Sequence, residues 1–140
     1  MVDELKLRNE HLGYALLRAV VGTNLMMHGL SRMIAGPGEF AAKLVMQFEH
    51  TPLPSWSVWV FGQTLPAIEG LLGLLILIGL RTRAALVAAS LLIIVLTIGS
   101  SLLQDWNATG IQLTYALVYS VLIFLHQHDG WSIDSWIKRR

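Results

Sequence analysis

A carboxylate stands inside one of the most apolar stretches of the chain, LPAIEGLLGLLILIGL, and Glu69 therefore needs a physical reason to be there. An ionisable side chain within a membrane-length apolar helix costs roughly 2.5–3.5 kcal/mol to insert, so it should face other helices and find a partner. Two residues of the first apolar stretch can serve, Arg18 and His28. Paired with either, Glu69 is a structural carboxylate joining two helices or a proton acceptor at a ligand site, and both readings stay open. Arg18 is open in the same way, since its long stem can snorkel to the headgroups instead of reaching Glu69. At a rise of about 1.5 Å per residue, Glu69 lies roughly 16 Å above the inner end of its helix, Arg18 roughly 8 Å and His28 roughly 22 Å. Glu69 thus falls between two possible cationic partners, slightly nearer to His28, and Glu69, His28 and Arg18 are the candidate catalytic residues.

A second group lies near the C-terminal end. Gln112, Tyr115, Tyr119 and His126 project within about 60° of one another at about 100° per residue. Tyrosines on such a stripe can be core rings whose hydroxyls bond across a bundle. Gln, Tyr, Tyr and His on one apolar face also suit a greasy ligand with a polar head, such as a quinone, whose carbonyls need donors. These four are the candidate ligand-binding residues and quinone is the candidate cofactor. Ser90, Thr97 and Ser101 form a weaker stripe, better explained as hydrogen-bonding contact between helices. No metal or haem is expected. The chain has no cysteine, His28 falls near the outer face of the membrane and His126 near the inner one, and His126 and His128 are two residues apart and face differently.

These side chains must be positioned by membrane helices. Hydrophobic residues make up 54% of the 140 and charged residues 14%, against about 25% charged in soluble domains. Four apolar stretches approach the roughly 20 residues that a bilayer core requires, at about 13–34, 57–80, 84–103 and 111–126. Lipid offers the backbone no hydrogen bonds, so each span satisfies its own as a helix, and runs such as LLGLLILIGL lack the alternation of a barrel strand. The sequence predicts one all-α membrane domain, a bundle of four transmembrane helices. Phe40, Leu44 and Phe48 recur at helical spacing in the first loop, which predicts a short helix lying on the membrane surface.

Charge orients the bundle. With the N-terminus inside, Lys6, Arg8, Arg81, Arg83, Lys138, Arg139 and Arg140 share the cytoplasmic side, leaving Lys43 and Arg32 outside. That asymmetry places both termini in the cytoplasm. Trp56, Trp59 and Trp106 fall at the outer interface and Trp131 and Trp136 at the inner, the depth amphipathic rings prefer. The start of the chain mixes Asp3, Glu4 and Glu10 with Lys6 and Arg8 and shows no small-residue cleavage site, so the first span is expected to be retained. A net charge of +1 argues against a nucleic-acid partner.

Three strings together resemble the DoxX family. LLRAVVGTNLMMHGLSRM is similar to its first-helix pattern, PAIEGLLGLLILIGLRTRAAL to its second-helix signature and turn, and DGWSIDSW to its C-terminal ending. The chain departs from the pattern at Arg32, where Lys is common, and at His128-Asp129, which replaces a Pro-containing lead. The resemblance implies a four-helix protein of the bacterial inner membrane with Arg18, His28 and Glu69 at the motif's polar positions. It also implies a subunit like those of thiosulfate:quinone oxidoreductase. The leading expectation is a quinone-linked redox subunit whose polar interior binds quinone or relays protons, its electrons coming from a redox partner subunit or a soluble donor. A non-enzymatic scaffold for a redox or stress complex, a homo-oligomer among its forms, and a small proton-coupled transporter using Glu69 are the alternatives.

Overall fold

A glycine and a proline end the first helix. Gly36 takes φ 104°, which disfavours a side chain, and Pro37 opens the next helix at a position where its missing N–H costs nothing. The computed structural model describes residues 2–139, and among these it is helical with no strand. Arg140, counted above with the inner basic residues, lies outside them. The order is α1 (Val2–Ala35), α2 (Pro37–Gln47), α3 (Ser55–Ile78), α4 (Thr82–Leu102), α5 (Trp106–Phe124), a 3-10 turn (His126–His128) and α6 (Ile133–Lys138).

Local chemistry sets the remaining boundaries. Gly79, left-handed at φ 71°, closes α3, and its N–H and that of Leu80 return to Leu75 O. Asp105 accepts from Ala108 N at 3.0 Å and caps α5. For that reason α5 starts at Trp106, five residues before the apolar run that marks it in the sequence. Ser132 and Ser135 exchange side-chain and backbone bonds at 3.1 Å and start α6.

The longest interface joins α1 to α3 as an antiparallel pair that small residues bring close. A Cβ on Gly22 would lie 2.6 Å from Leu77 N, and one on Gly29 or Gly73 would collide with the opposite backbone. Gly62, Pro66, Glu69 and Gly73 are all buried on α3, as their shared face predicts. The α3 face continues onto α2, where a Cβ on Gly62 would meet Ala41 Cα at 2.8 Å. Tyr14, Val21, Leu25, Ile76, Leu86, Ile93, Tyr119 and Leu122 fill the core between α1, α3, α4 and α5.

The outward faces are apolar. Leu71, Leu91, Ile94, Ile98, Leu113, Leu117 and Phe124 are exposed, far more contiguous apolar surface than water tolerates. Three helices, α3, α4 and α5, are long and apolar enough to cross a membrane. The fourth expected span belongs to α1, which is long enough but interrupted by Arg18, Asn24, His28 and Arg32. The predicted surface helix exists as α2, yet its apolar side turns inward. Ala41 and Phe48 are buried against the bundle.

Candidate functional site

Glu69 is buried between α3 and α1 at 4% exposure, and its partner is Arg32, which donates through Nη1 to Oε2. Neither predicted partner holds it. The reason is register: Gly29 lies against Gly70 and Pro66, and Gly22 against Leu77. Glu69 is therefore level with residues near 30 of α1. Arg32 stands about half a turn farther along, and its side chain leans back toward the helix N-terminus and reaches the carboxylate. The guanidinium carbon also sits 4.6 Å from the centre of the Phe40 ring on α2, a cation–π contact. His28 lies within electrostatic reach of Glu69, but its imidazole makes no hydrogen bond among the described residues and the residue is exposed on α1.

Beside this pair opens a cavity of about 530 Å³ between α2, α3, α4 and α5. Phe40 and Leu44 of α2 and Phe48 just after it roof it, Val58 and Leu65 of α3 and Val95 and Gly99 of α4 form its apolar walls, and Arg32 and Gln112 supply donors. Gln112 is held by Ser100, whose Oγ donates to Oε1 at 2.8 Å. Among the described residues, the amide nitrogen of Gln112 and the guanidinium nitrogens of Arg32 not engaged by Glu69 make no hydrogen bond and can donate. The cavity is hidden in the sequence because it exists only when α2 folds back onto α3. Its one sequence signal is the Phe40, Leu44 and Phe48 spacing.

The predicted stripe on α5 divides. Tyr115 donates to Asn24 Oδ1 of α1 at 2.8 Å and stacks on Tyr119 with ring centres 6.3 Å apart. Tyr119 is buried at 1% exposure and within reach of the Glu69 charge, and its hydroxyl makes no hydrogen bond among the described residues. Neither tyrosine lines the cavity. His126 leaves the stripe altogether, because α5 ends at Phe124 and a 3-10 turn carries the imidazole elsewhere. There its Nδ1 meets the Tyr14 hydroxyl at 3.4 Å and Asp129 at 3.9 Å.

Arg18 belongs to this second, inner cluster, so neither headgroup snorkelling nor a pair with Glu69 describes it. It is 4% exposed. Nη1 donates to Ile76 O and Leu77 O at 2.7 Å each, Nη2 donates to Trp131 O at 2.8 Å, and Nε lies 3.6 Å from Asp129 Oδ1. A cation thus satisfies the last carbonyls of α3 and complements its dipole, while holding the C-terminal segment against the bundle. Asp134 completes the attachment by accepting from Arg81 N and Thr82 N at 2.8 Å. Burial raises the Asp134 pKa, but the Thr82 and Arg81 backbone N–H bonds, together with the Thr82 side chain and the Lys138 charge, hold the carboxyl below its ordinary range.

A helical chain with an apolar exterior, three crossing-length helices and a carboxylate paired in its interior is a membrane protein. Its family is the one described as methylamine utilisation protein MauE, which it matches over residues 10–124, most of the chain. The chain belongs to that family, and this match replaces the DoxX resemblance and the thiosulfate-linked role drawn from it. No curated protein and no solved structure matched the chain.

Proposed function

We propose that this MauE-family protein is an integral component of a redox system of methylamine utilisation in the bacterial inner membrane, and that its cavity holds a quinone. The observation carrying this reading is the largely apolar 530 Å³ cavity whose lining includes the donors Arg32 and Gln112, with Gln47, Ser57 and Asp105 also on its wall. Such a site suits a flat, greasy ring with polar carbonyls. Glu69 fixes Arg32 and is the proton acceptor of the site, with Tyr119 and His28 within its electrostatic reach. The chain has no cysteine and so no dithiol of its own, and electrons reach the quinone from a partner subunit.

In this reading α1 is the fourth crossing and both termini are cytoplasmic. The two arginines of its apolar stretch fit a span because Arg18 is buried on carbonyls and Arg32 is held by Glu69, the arrangement that makes intramembrane charge tolerable. The test is binding of a short-chain quinone to the full protein in mild detergent, followed by tryptophan quenching. Saturable binding that weakens in Arg32→Met and in Gln112→Leu supports the site. Absence of binding, or equal binding by all three proteins, returns the molecule to a scaffold of the redox complex.

A further inference from the structure

A second concavity, of about 600 Å³, opens at the other end of the molecule, beside the α3–α4 turn. Its floor is one face of α4, formed by Ala84, Val87, Ala88 and Leu91. That spacing of three, four and seven residues makes a continuous apolar groove along the helix. At its mouth stand Arg81 and Arg83, both exposed, with side chains that make no hydrogen bond or ion pair among the described residues. Asp134 also borders the groove, but its carboxylate is turned onto the Arg81 and Thr82 backbone N–H groups. Trp131 and Trp136 are exposed nearby on the C-terminal segment, where amphipathic rings mark a membrane surface.

We infer that this groove is a binding site for one anionic diacyl phospholipid, its phosphate held by Arg81 and Arg83 and an acyl chain lying along Val87 and Leu91. Charge complementarity selects the occupant. Two available guanidiniums at the level of the headgroups attract an anionic lipid and give a zwitterionic one little advantage. The apolar floor distinguishes a lipid from a free phosphate, which would leave Val87 and Leu91 uncovered. Arg81 is also pre-positioned, because Asp134 fixes its backbone at φ 49° at the start of α4. Lipid bound here would brace the junction of α3, α4 and the C-terminal segment.

The experiment is native mass spectrometry of the full chain, delipidated in mild detergent and titrated with phosphatidylglycerol, phosphatidylcholine or inorganic phosphate. Wild type should retain phosphatidylglycerol at least about tenfold better than phosphatidylcholine, and millimolar phosphate should not displace it. The pair R81Q/R83Q should lower retention about 30-fold, equivalent to about 2 kcal/mol. V87W, which fills the groove and keeps both charges, should also release the lipid. K6Q/R8Q removes the same charge from the exposed start of α1 and should change nothing. Helical content is checked by circular dichroism, and if V87W fails to fold the arginine pair decides alone. Equal retention of the two lipids, displacement by phosphate, unchanged retention in R81Q/R83Q or in folded V87W, or an equal loss in K6Q/R8Q would each overturn the assignment.

Discussion

Glu69 is buried because Gly62, Pro66 and Gly73 share its face of α3, and small residues let α1 approach closely enough to cover it. Arg32 then supplies the charge that burial demands. The pair is testable by a double-mutant cycle on unfolding in detergent. Breaking a buried pair from one side costs about 3–5 kcal/mol, but the Arg32 side chain is 30% exposed. Arg32→Ala should therefore cost about 2 kcal/mol, and adding Glu69→Gln should recover about half. Strictly additive losses would show that the two residues do not act as a pair. The burial of Glu69 is legible in its sequence neighbours, whereas the identity of its partner is not. Heights measured from the edges of apolar runs misplace two helices that slide past each other. Arg18 is level with the end of α3, on Ile76 O and Leu77 O, whereas the apolar run beginning at Gly13 puts it well inside. That shift of about a turn exchanges the roles of Arg18 and Arg32.

Among the elements, the α1–α3 seam determines where everything else sits. Gly22 has no room for a Cβ beside Leu77, while Gly13 on the same helix has nothing within 4 Å. Gly22→Ala should thus destabilise by about 1–3 kcal/mol through forced separation of the helices. Gly13→Ala should be neutral or stabilising by up to about 1 kcal/mol, since alanine is the better helix former. Thermal unfolding in detergent compares them, and equal effects would mean the seam is not tight. The same seam runs through the strings that resemble the DoxX family. The spaced glycines of those strings serve the close packing of α1 on α3, and the family match over residues 10–124 decides against the resemblance. The α2 roof is half legible for a related reason. Phe40, Leu44 and Phe48 make an apolar face suited equally to a membrane surface and to the bundle, and only the contact of Ala41 with Gly62 decides between them.

For the whole molecule, the crossing of the membrane by apolar helices is the most legible property, because length and hydropathy determine it almost alone. The binding surfaces are not legible, since cavity and lipid groove are made by residues far apart in sequence. Orientation rests on charge asymmetry, and reporter fusions after Arg83 and after Lys138 should both read as cytoplasmic. A periplasmic signal at either would remove α1 as a crossing or invert the bundle. In the proposed function the cavity between α2, α3, α4 and α5 holds a quinone on Arg32 and Gln112. The most direct measurement is the affinity of wild type, Arg32→Met and Gln112→Leu for a short-chain quinone in detergent, read by tryptophan quenching. Removing one donor from a buried headgroup costs about 1–3 kcal/mol, so each variant should bind about 5- to 150-fold more weakly, with Tyr119→Phe, which lies off the cavity, close to wild type. Quinone that binds wild type and both cavity variants alike, or binds none of them, would rule out a quinone site in this cavity.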